Sequence, residues 1–183
     1  MNGGAPKLKM IMEGRLHGSA HVWIWRKRND VAEVLVQKRA MVKINWPGFW
    51  DKSAGGHISY GEKPTQAAVR KAKQEIGVQL DPEQLKFIGV QHWRSTVESV
   101  DMIENEYQWI YIVELPDSKT TVPTREVAAV EWQPIVDLEA LASGGSVKQY
   151  VPYGKPYYVM VFDAITQTVR LEKAKGEPSN SPD

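Results

Sequence analysis

The stretch from Gly56 to Val78 constrains this chain most. Within it, Ala68, Ala72 and Ile76 recur at i, i+4, i+8, the stripe of a helix that turns one face to a core. Pro64 suits the first turn, where its missing N–H costs no hydrogen bond, and Gly77 suits the position just past the end. The spacing predicts a helix over 64–76, entered through a loop, Gly56-His57-Ile58-Ser59-Tyr60-Gly61-Glu62. Strand-like runs lie on both sides. Gly18 to Arg26 holds Val22, Trp23, Ile24 and Trp25, and Ala32 to Lys38 holds Val34, Leu35 and Val36, with Asn29-Asp30 as the turn between them. Leu85 to Trp93, Glu106 to Leu115 and Val127 to Trp132 read as further strands, and Asn45 to Trp50 as a Pro-Gly loop. Ile135 to Ala142 reads as a short helix broken by Gly144-Gly145, and Tyr157 to Lys173 as a final helix. Strands around a central helix, with another helix late, give a mixed α/β layer architecture and not a regular βαβ alternation.

The 183 residues suit one domain with a core of its own. Residues 1–7 read as a flexible leader, 8–172 as the domain and 173–183 as a disordered polar tail. The formal net charge of +1 gives no global pull toward a nucleic-acid polymer or an anionic membrane, so any anion site is local. The absence of cysteine excludes disulfides, thiolate metal sites and a cysteine nucleophile, and fits a reducing, cytoplasmic setting. The first residues carry no apolar run of signal-peptide type, and no stretch nears the roughly 20 apolar residues that span a bilayer.

Gly56, Glu62, Arg70, Ala72, Glu75, Gly77 and Val78 carry the chemistry. Their spacing resembles the Nudix box: Gly, five residues, Glu, seven residues, then Arg-Glu-apolar-any-Glu-Glu-any-Gly-apolar. The resemblance implies a Nudix-type α/β/α sandwich with a mixed sheet and a loop-helix-loop motif. It also implies hydrolysis of a diphosphate with Mg²⁺ or Mn²⁺. Carboxylates at i, i+3 and i+4 share a helix face and hold a hard cation that polarises phosphoryl oxygens. Here those positions are Lys71, Gln74 and Glu75, so two carboxylates are lost and a cation is gained. Glu75 and Glu62 remain metal-ligand candidates, and Glu75, Gln74, Lys71 and Glu106 are the catalytic positions. The bland alternative is an amphipathic helix whose Lys71–Glu75 pair lies in solvent. Arg70 reads as a residue that orients neighbouring carboxylates.

Further segments resemble the isopentenyl-diphosphate isomerase branch of the same superfamily: Arg15-Leu16-His17, Gln37-Lys38-Arg39-Ala40, Trp46-Pro47-Gly48-Phe49-Trp50, Gly56-His57 and Glu104-Asn105-Glu106. That resemblance implies a metal held by His17, His57, Glu104 and Glu106, a set that suits Mn²⁺, Zn²⁺ or Fe²⁺ better than Mg²⁺. It implies a diphosphate gripped by Arg39, Lys43 and Lys71. Gly55 stands where the branch has a cysteine, Trp93 where it has a tyrosine, and a third histidine is missing near Met10. Ala54-Gly55-Gly56-His57-Ile58 looks more like the hydrolases that lack this cysteine. Each group has its ordinary reading as well. His17 and His57 are structural histidines, His21 and His92 packing or surface residues, and Arg39 and Lys43 a solvated basic face. Trp46 and Trp50 are either a core plug or a platform for a base or an isoprenoid tail.

Three functions are expected, in this order. The first is a metal-dependent hydrolase of a nucleotide or other organic diphosphate, weakened by Lys71 and Gln74. The second is isomerase-like chemistry on an allylic diphosphate. The third is a diphosphate-ligand binding module without turnover. The partner in each case is a small molecule.

Overall fold

In the computed structural model, which describes residues 13–97, 102–115, 124–143 and 149–176, seven strands form one mixed sheet. The strands are β1 (His17–Arg28), β2 (Val31–Arg39), β3 (Trp50–Asp51), β4 (Ala54–His57), β5 (Lys86–Val97), β6 (Met102–Glu114) and β7 (Val127–Pro134). The order is β3-β2-β1-β6-β5, with β4 added on β1 and β7 on β2. Asn29 and Asp30 both take positive φ, the geometry of a tight hairpin, and so join β1 to β2. One edge of β1 is shared. Its second half pairs with β2 from Trp25 to Arg28, and its first half pairs with β4 from Ser19 to Val22. Along its other edge β1 runs parallel to β6.

Three α-helices are found among the described residues: α1 (Pro64–Ile76), α2 (Glu139–Ala142) and α3 (Lys155–Gly176). The period-2 alternation of β1 sorts its side chains between two cores. Ala20, Val22 and Ile24 meet Ala67, Ala68, Ala72 and Ile76 of α1, where small alanines let the helix lie close to the sheet. Trp23 and Trp25 meet Tyr157, Tyr158, Val161, Phe162 and Ile165 of α3 on the opposite face. Full burial of each such large apolar side chain contributes about 1.5–3 kcal/mol. The sheet is thus sandwiched between helices, as expected.

The predicted helix over 64–76 has those bounds, and Gly77 closes it at φ 71. The two loops read at Asn45–Trp50 and Gly56–Glu62 need correction where they meet strands: Trp50 belongs to Trp50–Asp51, and Gly56-His57 to Ala54–His57. They are too short to show a period and are held by pairing with β2 and β1. The short helix over 135–142 divides into a 3-10 turn, Ile135–Leu138, and α2. The final helix runs on to Gly176, into the segment read as tail. The leader, Met10, Gly144-Gly145 and residues 177–183 lie outside the described residues. Among the described residues no helix is long and apolar enough to cross a membrane.

Candidate metal centre and its pocket

Strand register builds the centre. In the parallel ladder His17 is the partner of Glu106, and in the antiparallel ladder Ser19 is the partner of His57. Directly opposed residues point to the same face, and so do residues two apart on a strand. His17, Ser19, His57, Glu104 and Glu106 therefore converge on the α3 side of the sheet. One ligand atom from each of His17, His57, Glu104 and Glu106 lies within 4.8 Å of the others. His17 Nε2 and His57 Nε2 are 3.2 Å apart, and each is 3.4 Å from Glu106 Oε1. Glu104 Oε2 is 3.8 Å from His17 Nε2.

This set fits a divalent ion on three counts. Its donors are two imidazoles and two carboxylates. His17 Nδ1–H donates to the Arg15 carbonyl at 2.9 Å, which leaves Nε2 to face the cluster, the outer support that metal-binding histidines usually have. Glu104 takes a hydrogen bond from Asn45 on Oε1, while its Oε2 is buried without a hydrogen-bond partner among the described residues. The charges are strongly coupled. Burial, and then the neighbouring Glu106 charge, push the Glu104 carboxyl up to about 7. Burial also acts upward on Glu106, but hydrogen bonds from His17 and His57 outweigh it and hold that carboxyl well below its usual range. His17 is lowered by burial, yet raised overall by the Glu106 hydrogen bond and by the Arg15 carbonyl.

The cluster opens into a cavity of about 370 Å³. Arg39, Lys43, Lys52, Lys71 and Arg125 also line it. Lys71 belongs to α1, on the other face, and reaches the cavity across Gly56. Its Nζ is 3.7 Å from Glu75 Oε1; Glu75 is 3% exposed and Lys71 half-buried at the cavity wall, so this is not a pair on the open surface. Glu75 Oε2 accepts from the Gly55 N–H and from Gln37.

Other predicted residues lie apart from the cluster. Glu62 faces Arg70, with both bonds at 2.7 Å, and this guanidinium holds the carboxyl down at about 2. Arg70 also donates to the His57 carbonyl, so it braces the strand that carries a cluster histidine. Gln74 is exposed and accepts from Arg70. Arg39 lines the cavity but is tied to Asp51 and Asn45, and Lys43 is ion-paired to Glu126. Trp50 lies against Lys38, and Trp46, not Trp50, lines the cavity.

Two groups escaped the sequence reading. Lys52 is 5% exposed, and its ammonium bonds Asp51 and the Tyr153 hydroxyl. Burial acts to raise Asp51, but Lys52 and Arg39 together hold it far below the usual carboxylate range. Lys52 also fills the space beside Gly55, where an added β-carbon would meet Lys52 Cε at 2.3 Å and the Ala20 carbonyl at 2.8 Å. The second group is the set of hydrogen bonds made by His21, expected as a packing or surface residue and indeed buried. This histidine is buried against Tyr157 and Ser19, and burial, followed by the Lys52 charge, drives its pKa well down. Alternation with Trp23 was the available signal, because it places His21 on the face of the cluster. His92 is exposed and bonds Asn105.

Residues 15–153 match the family model of the NUDIX domain. The chain belongs to the Nudix family. Among its Nudix relatives, Nudix hydrolase 3 of Arabidopsis thaliana is 31% identical over 171 residues, 91% of this chain. The match spans 22% of that plant protein's length. The isopentenyl-diphosphate Delta-isomerase of Cutibacterium acnes is 33% identical over 132 residues, 66% of each chain. A crystal structure of a Caenorhabditis elegans Ap4A hydrolase superposes with a TM-score of 0.57 at 21% identity, over 83% of this chain and 98% of that one, a likeness of Nudix fold.

Proposed function

We propose that this Nudix protein hydrolyses a small organic diphosphate with one divalent ion, Mn²⁺ or Mg²⁺, held by His17, His57, Glu104 and Glu106. The observation that carries the reading is the convergence of these four groups at the wall of a cavity also lined by Arg39, Lys43, Lys52, Lys71 and Arg125. A bound ion supplies Lewis acidity to a phosphoryl oxygen and acidifies water. The side chains do the rest. Lys71 and Lys43 bring point charges to the phosphates, and Arg39 offers a planar donor held in place by Asp51. Glu75 directs its charge at Lys71 and its second oxygen at the Gly55 N–H, so it sets the position of β4 and does not serve as the base. Hydrolysis adds water across one P–O bond: the water oxygen bonds phosphorus and the bridging oxygen leaves.

The test is phosphate release from nucleotides, nucleotide sugars and prenyl diphosphates with Mn²⁺ and Mg²⁺. Release from one class, lost in Glu106→Gln and His57→Ala, is the expected result. Tight ligand binding without release from any class would replace this reading with a non-catalytic module. Carbon-bound deuterium appearing in isopentenyl diphosphate incubated in heavy water would replace it with an isomerase.

A further inference from the structure

Behind Glu106 a chain of buried polar groups runs into the core. Trp23 Nε1–H donates to the Tyr157 hydroxyl oxygen at 2.9 Å. An indole N–H can only donate, so the direction of this bond is fixed. The same hydroxyl lies 2.8 Å from His21 Nδ1. Its own proton points there, which makes Nδ1 the acceptor and puts the imidazole proton on Nε2. His21 Nε2 lies 3.3 Å from Ser19 Oγ, and Ser19 donates to Glu106 Oε2 at 2.8 Å, the shorter of the two bonds on that oxygen, the other coming from Gln108 Nε2 at 3.3 Å. Trp23 and Tyr157 are 0% exposed, Ser19 1%, His21 2% and Glu106 7%, so the inner bonds are shut off from solvent and the outer ones lie at the cavity wall. The opposite tautomer breaks the chain twice. The Tyr157 proton would have no acceptor among its two partners, and Ser19 would turn its proton to His21 and its lone pairs to a carboxylate.

We infer that Trp23, Tyr157, His21 and Ser19 form a one-way hydrogen-bond relay that pins Glu106 Oε2 and thereby presents Oε1 to the His17–His57 pair. Ser19, His21 and Tyr157 are positioning residues, and α3 is part of the metal centre although it supplies no ligand. The inference rests on the metal-centre reading above. A carboxylate with one oxygen pinned offers the ion a single oxygen in a fixed place. Loss of outer supports of this kind typically costs about 10–100-fold in metal affinity or activity.

Two measurements on the full chain test it. Imidazole ¹⁵N shifts, with the His21 signals assigned by their loss in His21→Gln, report the tautomer. A proton on Nε2 is expected, and one on Nδ1 overturns the relay. Calorimetric Mn²⁺ titration then compares the wild type with Tyr157→Phe, Ser19→Ala and Tyr158→Phe. Tyr158 packs in the same core but donates to the Val151 carbonyl, outside the relay. Mn²⁺ affinity is expected to fall about tenfold or more in Tyr157→Phe and Ser19→Ala, and to hold in Tyr158→Phe even where that variant melts earlier. Wild-type affinity in both relay variants, or an equal loss in Tyr158→Phe, overturns the inference. If Tyr157→Phe does not fold, Ser19→Ala against Tyr158→Phe decides. A wild-type protein that binds no Mn²⁺ defeats the metal-centre reading, and the relay with it; unaltered binding in the variants defeats the relay alone.

Discussion

Gly56 and Lys71 compete for one space: a β-carbon on Gly56 would stand 2.6 Å from Lys71 Cε and 3.0 Å from its Nζ. Gly56→Ala is expected to push the flexible ammonium aside with little loss of fold. Charged hydrogen bonds are worth about 1.5–3 kcal/mol, so diphosphate affinity should fall roughly tenfold or more. In a Lys71→Ala background the same change should add little. A double-mutant cycle on ligand Kd reads this directly, and additive losses would show that the two positions act separately.

Restoring the lost acids has a metal-dependent signature. Lys71→Glu replaces the half-buried cation that faces Glu75 Oε1 with a second carboxylate beside a buried one. With Gln74→Glu added, the variant should melt earlier than the wild type in a chelator and regain stability with millimolar Mg²⁺ or Mn²⁺. Scanning fluorimetry with and without metal checks it. A melting temperature indifferent to metal would mean that α1 does not recreate a cation site.

The Glu62–Arg70 pair predicts a pH profile. The folded Glu62 carboxyl is depressed to about 2, below its unfolded value. A depressed carboxyl stabilises fully above the unfolded pKa and loses that contribution as pH falls through the folded one. Glu62→Gln should therefore be less stable than wild type at pH 7, with the gap closing between about pH 4.5 and 2. Urea midpoints across this range measure it, and a gap that stays constant to pH 2 would contradict it.

Asp51 stands between two buried cations, Arg39 and Lys52. Asp51→Asn leaves both without their carboxylate. Breaking a buried pair in this way costs about 3–5 kcal/mol. Equilibrium unfolding should show that loss, and a change under about 1 kcal/mol, the scale of an exposed pair, would mean that the network is wet.

The sequence carried the helix over 64–76, with its proline and glycine ends, because those signals are local. It carried most of β1 and β2 through apolar runs and a turn of left-handed residues. His17, His57, Glu104 and Glu106 were named from resemblance, and they do lie together. Position along the chain could not show how Lys71 reaches the cavity, because that depends on the missing side chain of Gly56. Nor could it show that the adjacent charges Asp51 and Lys52 are buried, since β3 is a strand of two residues defined by its pairing with β2. His21 looked ordinary because its significance lies in a partner on α3, Tyr157, far along the chain.

The shared edge of β1 also bears on when this protein can begin to work. Its four candidate ligands come from β1, β4 and β6, and the register that aligns them is a contact between segments far apart in sequence. A chain still emerging from the ribosome has two of the four once β4 is made, and lacks both carboxylates until residues 104 and 106 appear. Pairings of such long range close late, because loop entropy opposes them until the rest of the sheet rewards them. Metal capture at the proposed centre would therefore report on completed tertiary structure, and partly folded forms of this chain are expected to leave the cell's divalent ions alone.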